Sequence, residues 1–169
     1  THTSVSNAVA EQQRLIDAMF AQTTDSIVLV DPQTKRFVTF NAAAHEGLGY
    51  TRERFQDLTP MDLRVDADPA EVASANQRAL AGEQVHFEVQ HRRAGGGVQD
   101  ASLRLSCVVL GGRTLVCGVW RDVTLDRLRE QRIQRLNRSY ALLSGINEAV
   151  VRLREPQALF EERFAGEAF

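Results

Sequence analysis

Residues 85–121 read VHFEVQHRRAGGGVQDASLRLSCVVLGGRTLVCGVWR, and their patterning decides the fold. Val85, Phe87 and Val89 alternate with His86, Glu88 and Gln90, the two-residue period of a strand with one buried and one wet face. His91 ends that inward series, and Gly95-Gly96-Gly97 turns the chain. Leu103, Leu105, Cys107 and Val109 then form an apolar face opposite Ser102, Arg104 and Ser106. Gly111-Gly112 is a tight-hairpin signal, and residues 114–121 make a third strand. Consecutive strands joined by short glycine turns pair antiparallel.

Upstream, Ile27-Val28-Leu29-Val30 is stopped by Asp31-Pro32-Gln33, which has turn chemistry, and Arg36 to Phe40 is a second strand close enough to form a hairpin. Asn41 is a good N-cap before Ala42-Ala43-Ala44, a helix that Gly49 closes. Thr59-Pro60 and Asp68-Pro69 each place a capping residue before a first-turn proline. Asp68 with Glu71 has capping-box spacing, and a helix over 70–81 ends at Gly82. Residues 41–82 are therefore several short helices. Residues 9–22 predict an amphipathic helix with Leu15, Ile16, Met19 and Phe20 on one face. The expected fold class is α+β: a five-stranded antiparallel sheet with short helices on one face, flanked by an N-terminal and a long C-terminal helix.

Downstream of Thr124, a residue able to cap, the pattern is helical. Leu136, Leu143 and Val150 repeat every seven residues with Ile146 and Leu153 between them, whereas Arg129 and Arg132 occupy the same seam upstream. Pro156 is expected to end or interrupt this helix. A helix from about 124 to 154 cannot bury both ends against a domain of ordinary size, so it is expected to project and pair with a second copy. The expected organisation is an N-terminal flanking helix at 1–22, a domain at 23–124, a coiled-coil helix at 125–156 and the start of another domain at 157–169.

The 169 residues are 43% hydrophobic and 25% charged, enough for a packed core. The formal charge of −2 argues against a phosphate-gripping surface, so no nucleic-acid partner is expected. Arg127, Arg129, Arg132, Arg135 and Arg138 read as a solvated helix face. Two cysteines make neither a disulfide framework nor a four-ligand zinc site, so no metal is expected. No apolar run approaches the roughly 20 residues that span a bilayer, and no signal-peptide pattern opens the chain. The expectation is a soluble, cytoplasmic chain without a membrane partner. Thr1 stands where a Met would, which fits a piece of a larger protein.

Four segments in order resemble the PAS sensor family over about residues 15–124. They are Ile27–Asp31, Phe37–Ala43, the Leu48-Gly49-Tyr50-Thr51 segment running on to Phe55, and Arg121-Asp122-Val123-Thr124, with Val for the family's Ile. Leu136 to Val151 resembles the linkers that join PAS to GAF domains in diguanylate cyclases, phosphodiesterases and histidine kinases, with Leu159-Phe160-Glu161-Glu162 opening the next domain. The resemblance implies a bacterial sensory module, not itself an enzyme. It implies a homodimer whose signal passes through Asp122, Val123 and Thr124 into the helix from Leu125.

The resemblance also implies a ligand space between the sheet and the helical half. Phe40, Leu48, Phe55, Met61, Leu63, Phe87, Val89, Leu105, Cys107 and Trp120 are its candidate lining, and each alone is equally explained as core. Trp120 suits both roles, because its ring needs volume and its N–H needs a partner. His45 and His91 stand as candidate haem ligands against a plainer reading as solvated or hydrogen-bonded histidines. Residues 57–82 hold no histidine and neither cysteine falls among the helices, so neither haem nor flavin is expected as a cofactor. The alternatives to a ligand-binding sensor are a ligand-free dimerisation module and a haem or flavin redox sensor. No nucleophile–base set or phosphate loop is visible, and a hairpin turn explains Gly95 to Gly97.

Overall fold

The structure, a computed structural model, describes residues 2–165; the side chains of residues 2–6, 9 and 153–165 lie outside the description. The chain divides into two compact units, residues 1–125 and 126–169.

The first unit holds α1 (His2–Gln22), β1 (Ser26–Val30), β2 (Phe37–Phe40), α2 (Ala42–Glu46), α3 (Arg52–Gln56), α4 (Pro60–Leu63), α5 (Pro69–Leu80), β3 (Val85–Arg92), β4 (Val98–Leu110) and β5 (Arg113–Asp122). The five strands form one sheet in the order β2-β1-β5-β4-β3. Every pairing is antiparallel, so the predicted fold class is the observed one. The meander β3-β4-β5 follows from the period-two pattern and glycine turns; β5 then closes against β1, placing Trp120 opposite Ser26 and Gly118 opposite Val28.

The short helices start where their capping chemistry lies. Asn41 Oδ1 accepts the Ala44 N–H at 3.1 Å, and Thr51 accepts the Arg54 N–H at 3.2 Å. Asn41 is the best-tied of these, since it also accepts the Ile27 N–H and donates to the Phe20 and Asp25 carbonyls. The capping box expected at Asp68 and Glu71 instead forms one helix earlier. Asp62 reaches back to the Thr59 N–H at 2.8 Å, while Asp68 accepts the Ala70 N–H. The helix after Asn41 ends at Glu46, and Gly49 lies in the following turn at φ 79.

Two apolar faces differ from expectation. Among the described side chains of α1, only Ile16 and Phe20 are partly covered, against the sheet face away from α2–α5, while Leu15 and Met19 are exposed. In β4 the inward series Leu103 and Leu105 is buried, but Cys107 is half-buried and Val109 exposed. The tip of the β4–β5 hairpin runs past the helical cover, so its alternation no longer meets a core. Cys117 pairs with Leu29 and Ser106 on the outer face, and burial pushes its thiol pKa up.

The second unit is the long helix α6 (Thr124–Ala165), which begins at the end of the first. It continues through Pro156, which was expected to end or interrupt it; a proline there removes a single backbone donor. Leu136, Leu143, Ile146 and Val150 are exposed along it, as are Leu125, Leu128 and Ile133. The Leu153 side chain and those of Leu159 to Glu162 lie outside the described residues. Among the described residues no helix is long and apolar enough to cross a membrane.

Candidate functional site

Between the inner sheet face and helices α4 and α5 lies a cavity of about 80 Å³. The sheet lines it with Val28, Val30, Phe37, Leu103, Leu105 and Val116, and the helical side with Met61, Leu63, Val72 and Ala75. Gly118 in β5 also borders it, where Val28 packs close. A Cβ there would stand 3.1 Å from Val28 Cγ2, 3.6 Å from Leu105 and 3.7 Å from Leu103. This volume is below the roughly 300 Å³ at which drug-sized sites begin.

Of the expected lining residues, Met61, Leu63, Phe87, Leu105 and Trp120 border the cavity. Phe40, Leu48, Phe55 and Val89 are buried core outside its lining, and Cys107 is half-buried outside it. Phe55 stacks on Phe37 at 4.8 Å and meets Phe40 at 4.7 Å, which makes it the centre of an aromatic corner. His45 sits at that corner with Nδ1 3.0 Å from the Tyr50 carbonyl, a satisfied histidine as the plainer reading expected.

His91 is different. It is 4% exposed, next to Trp120 at 3%, with the ring centroids 4.9 Å apart and edge to face. His91 Nδ1, Trp120 Nε1 and Arg64 Nε are all buried without a hydrogen-bond partner, and the three residues border the same cavity. Arg64 is held beside His91 by a backbone bridge to the edge strand, and its guanidinium lies over the Phe87 ring at 5.6 Å. Burial lowers the His91 pKa to about 4; Gln99 works to raise it and the Arg64 charge to lower it further. His91 is therefore neutral near pH 7. Gln99 is the cross-strand partner of His91 and is itself buried, with its Oε1 unpaired.

From Gln99 the polar chain runs to the domain exit. Gln99, 2% exposed, donates Nε2 to Asp122 Oδ2 at 3.2 Å. Asp122 also accepts from Arg93 at 3.1 Å and from the Thr124 N–H at 2.9 Å and hydroxyl at 2.6 Å. Desolvation works to raise the Asp122 pKa, but these bonds outweigh it and hold the carboxyl below its usual value. Thr124 does not cap with its own oxygen as expected. Its hydroxyl accepts the Asp100 N–H at 2.9 Å, tying the first turn of α6 to β4, and Asp122 accepts the free helical N–H. Val123 joins the same tie through its N–H to the Asp100 carbonyl at 2.8 Å. Arg93 also donates to the Gly47 carbonyl at 3.0 Å, linking the exit to the end of α2.

Sequence reasoning missed Arg64 and Gln99. Gln99 was findable, since it is in phase with Ala101, Leu103 and Leu105 on an inward face. Arg64 carried no periodic signal, because it follows a single-turn helix and reaches the site by tertiary bridging. Among the described residues no cluster of His, Cys, Asp and Glu could hold a metal ion.

An antiparallel sheet with short helices over one face, a cavity between the layers and an exit strand running into a helix define a sensor-type α+β fold. The chain belongs to the PAS fold family, whose model matches residues 14–123. Among solved structures it is similar to the PAS domain of an HTR-like protein from Haloarcula marismortui, at 18% identity and a TM-score of 0.64, covering 71% of this chain and 98% of that one. A domain of a sensory box sensor histidine kinase/response regulator from Geobacter sulfurreducens matches at 24% identity and TM-score 0.57, covering 68% and 96%. The PAS domain of nitrogen regulation protein NR(II) from Vibrio parahaemolyticus matches at 14% and 0.53, covering 64% and 97%. No curated protein sequence matches the chain. These likenesses share the fold; PAS domains are sensory modules of signalling proteins.

Proposed function

We propose that this chain is the sensory module of a bacterial, cytoplasmic signal-transduction protein. It binds a small molecule in the cavity beside His91 and Trp120, and passes occupancy through Asp122, Val123 and Thr124 into α6. One observation carries the ligand reading: Arg64, His91 and Trp120 each present a buried, unpartnered polar atom, and all three border one cavity whose other lining is apolar except for Asn76. Folded proteins leave few such atoms, each at a cost of about 1–3 kcal/mol, and a ligand that bonds to them recovers that cost.

The Gln99–Asp122–Thr124 chain supports the transmission reading, because it joins Gln99, the cross-strand neighbour of the cavity residue His91, to the first turn of α6. The exposed seam Leu136, Leu143, Ile146 and Val150 supports homodimerisation through α6. The linker resemblance supports a following GAF domain and an output cyclase, phosphodiesterase or histidine kinase in the same protein.

Native mass spectrometry of the full chain, with an absorption spectrum, tests the reading. The expected result is a colourless protein carrying a retained small molecule or binding one from a metabolite panel. A bare polypeptide whose Trp120 emission no metabolite changes would make it a ligand-free dimerisation module. A Soret or flavin band would make it a cofactor sensor.

A further inference from the structure

We infer that the molecule held in this cavity is a short aliphatic monocarboxylate of about two to four carbons, bound through Arg64 and Trp120; this rests on the reading of the cavity as a ligand site. Three features of the site select that class. The first is hydrogen-bond polarity. Trp120 Nε1 and Arg64 Nε can only donate, and both lack an acceptor, so the missing group must accept from two directions. A carboxylate does this with one oxygen for each donor, and bonds to a charged acceptor are the stronger kind.

The second feature is charge. Arg64 brings one guanidinium to the cavity edge, and His91 beside it is neutral near pH 7. One positive charge matches one negative charge. A second carboxylate or an ammonium would face Val28, Val30, Leu103 and Leu105 on the sheet side, with the uncharged Asn76 amide alone on the helical side to meet it.

The third feature is size. About 80 Å³ accommodates a few carbon atoms and excludes a ring system or a long acyl chain unless the walls move.

Trp120 is the only tryptophan in the chain, so the full-length protein carries its own reporter. Emission is titrated at pH 7.5 and constant ionic strength with butyrate, butyramide, butylamine and succinate. Butyrate should saturate the signal in about the millimolar range, as so few atoms allow. Butyramide should bind about tenfold more weakly or worse, and butylamine and succinate should not saturate. Arg64→Met, which keeps the stem over Phe87, should lose about tenfold or more of butyrate affinity. Trp120→Phe, followed by calorimetry, should lose a similar factor while its far-ultraviolet circular dichroism stays that of the parent.

Equal binding of butyrate and butyramide overturns the proposal, as does butyrate binding unchanged in both variants. If no carboxylate binds but another compound is retained in native mass spectra and shifts Trp120 emission, the ligand class is wrong and the sensor reading stands. If nothing binds and the polypeptide is bare, both fail.

Discussion

Two histidines divide the first unit into unlike halves. His45 belongs to the corner of Phe37, Phe40, Tyr50 and Phe55, where rings pack at 4.7–6.5 Å. Polar atoms there are matched: His45 Nδ1 pairs with the Tyr50 carbonyl, and Tyr50 donates to the Arg92 carbonyl at 3.2 Å. His91 belongs to the half where Arg64, Gln99 and Trp120 hold buried polar atoms without partners. The same sheet carries both. The aromatic corner is complete as it stands and its role is to hold β1, β2, α2 and α3 together, whereas the His91 half remains chemically open to an added molecule.

The sharpest way to break this contrast is Phe55→Ala. Phe55 is fully buried at the centre of the complete half, so the variant should lose about 3–5 kcal/mol in denaturant unfolding. A loss below about 1 kcal/mol would mean that the corner is not the mechanical anchor.

A smaller effect is expected from acid. The folded pKa of His91 is about 4, below the ordinary 6.5, so the unfolded chain takes up the proton first as pH falls. Stability should be full above pH 6.5 and fall by up to about 3 kcal/mol as pH drops toward 4. His91→Leu should remove most of that slope without loss at pH 7, because it deletes an unpaired polar atom. A parent slope retained in His91→Leu would assign the acid sensitivity to the carboxylates instead.

Smaller again is the junction. Replacing Asp122 and Thr124 together by Ala leaves the buried Gln99 amide and the Asp100 N–H without their acceptors, a loss of about 1–3 kcal/mol, and should lower thermal unfolding by about 4 °C or more without abolishing the fold. In the intact parent protein the same pair should uncouple output from input. Outright unfolding, or an unchanged signal response, would reduce the junction to an ordinary turn. The smallest effect on the first unit should come from Leu143→Glu with Ile146→Glu. Its melting should not change, while sedimentation velocity of the full chain should shift from dimer to monomer. Two monomeric proteins would remove the seam from the mechanism.

Much of this architecture was legible in the residues. The alternation at 85–89 and 103–105, the glycine turns and the capping residues at Asn41, Thr59 and Asp68 are local signals, and local signals fix strands and helix starts. Asp122 was legible as an acceptor at the exit, but its partner Arg93 was not, because nearly thirty residues of turn and strand separate them. The site was half legible for the same reason. Large apolar residues announce burial, so Leu63, Phe87 and Trp120 could be named, yet burial alone does not separate a cavity wall from the filled core around Phe55. That distinction depends on what is missing: the partners of Arg64, His91 and Trp120. A missing contact has no signature in a one-dimensional pattern.

Gly118 also bears on transmission. A glycine inside a strand costs about 0.5–1 kcal/mol against alanine, and here it lets Val28, Leu105 and Leu103 come within 3.1–3.7 Å of the point where a Cβ would stand. β1 and β4 therefore close on β5 at this point, on the strand that leads to Asp122 and α6. On the reading proposed above, a molecule entering beside it would press on that contact, and β5 would carry the displacement toward the exit.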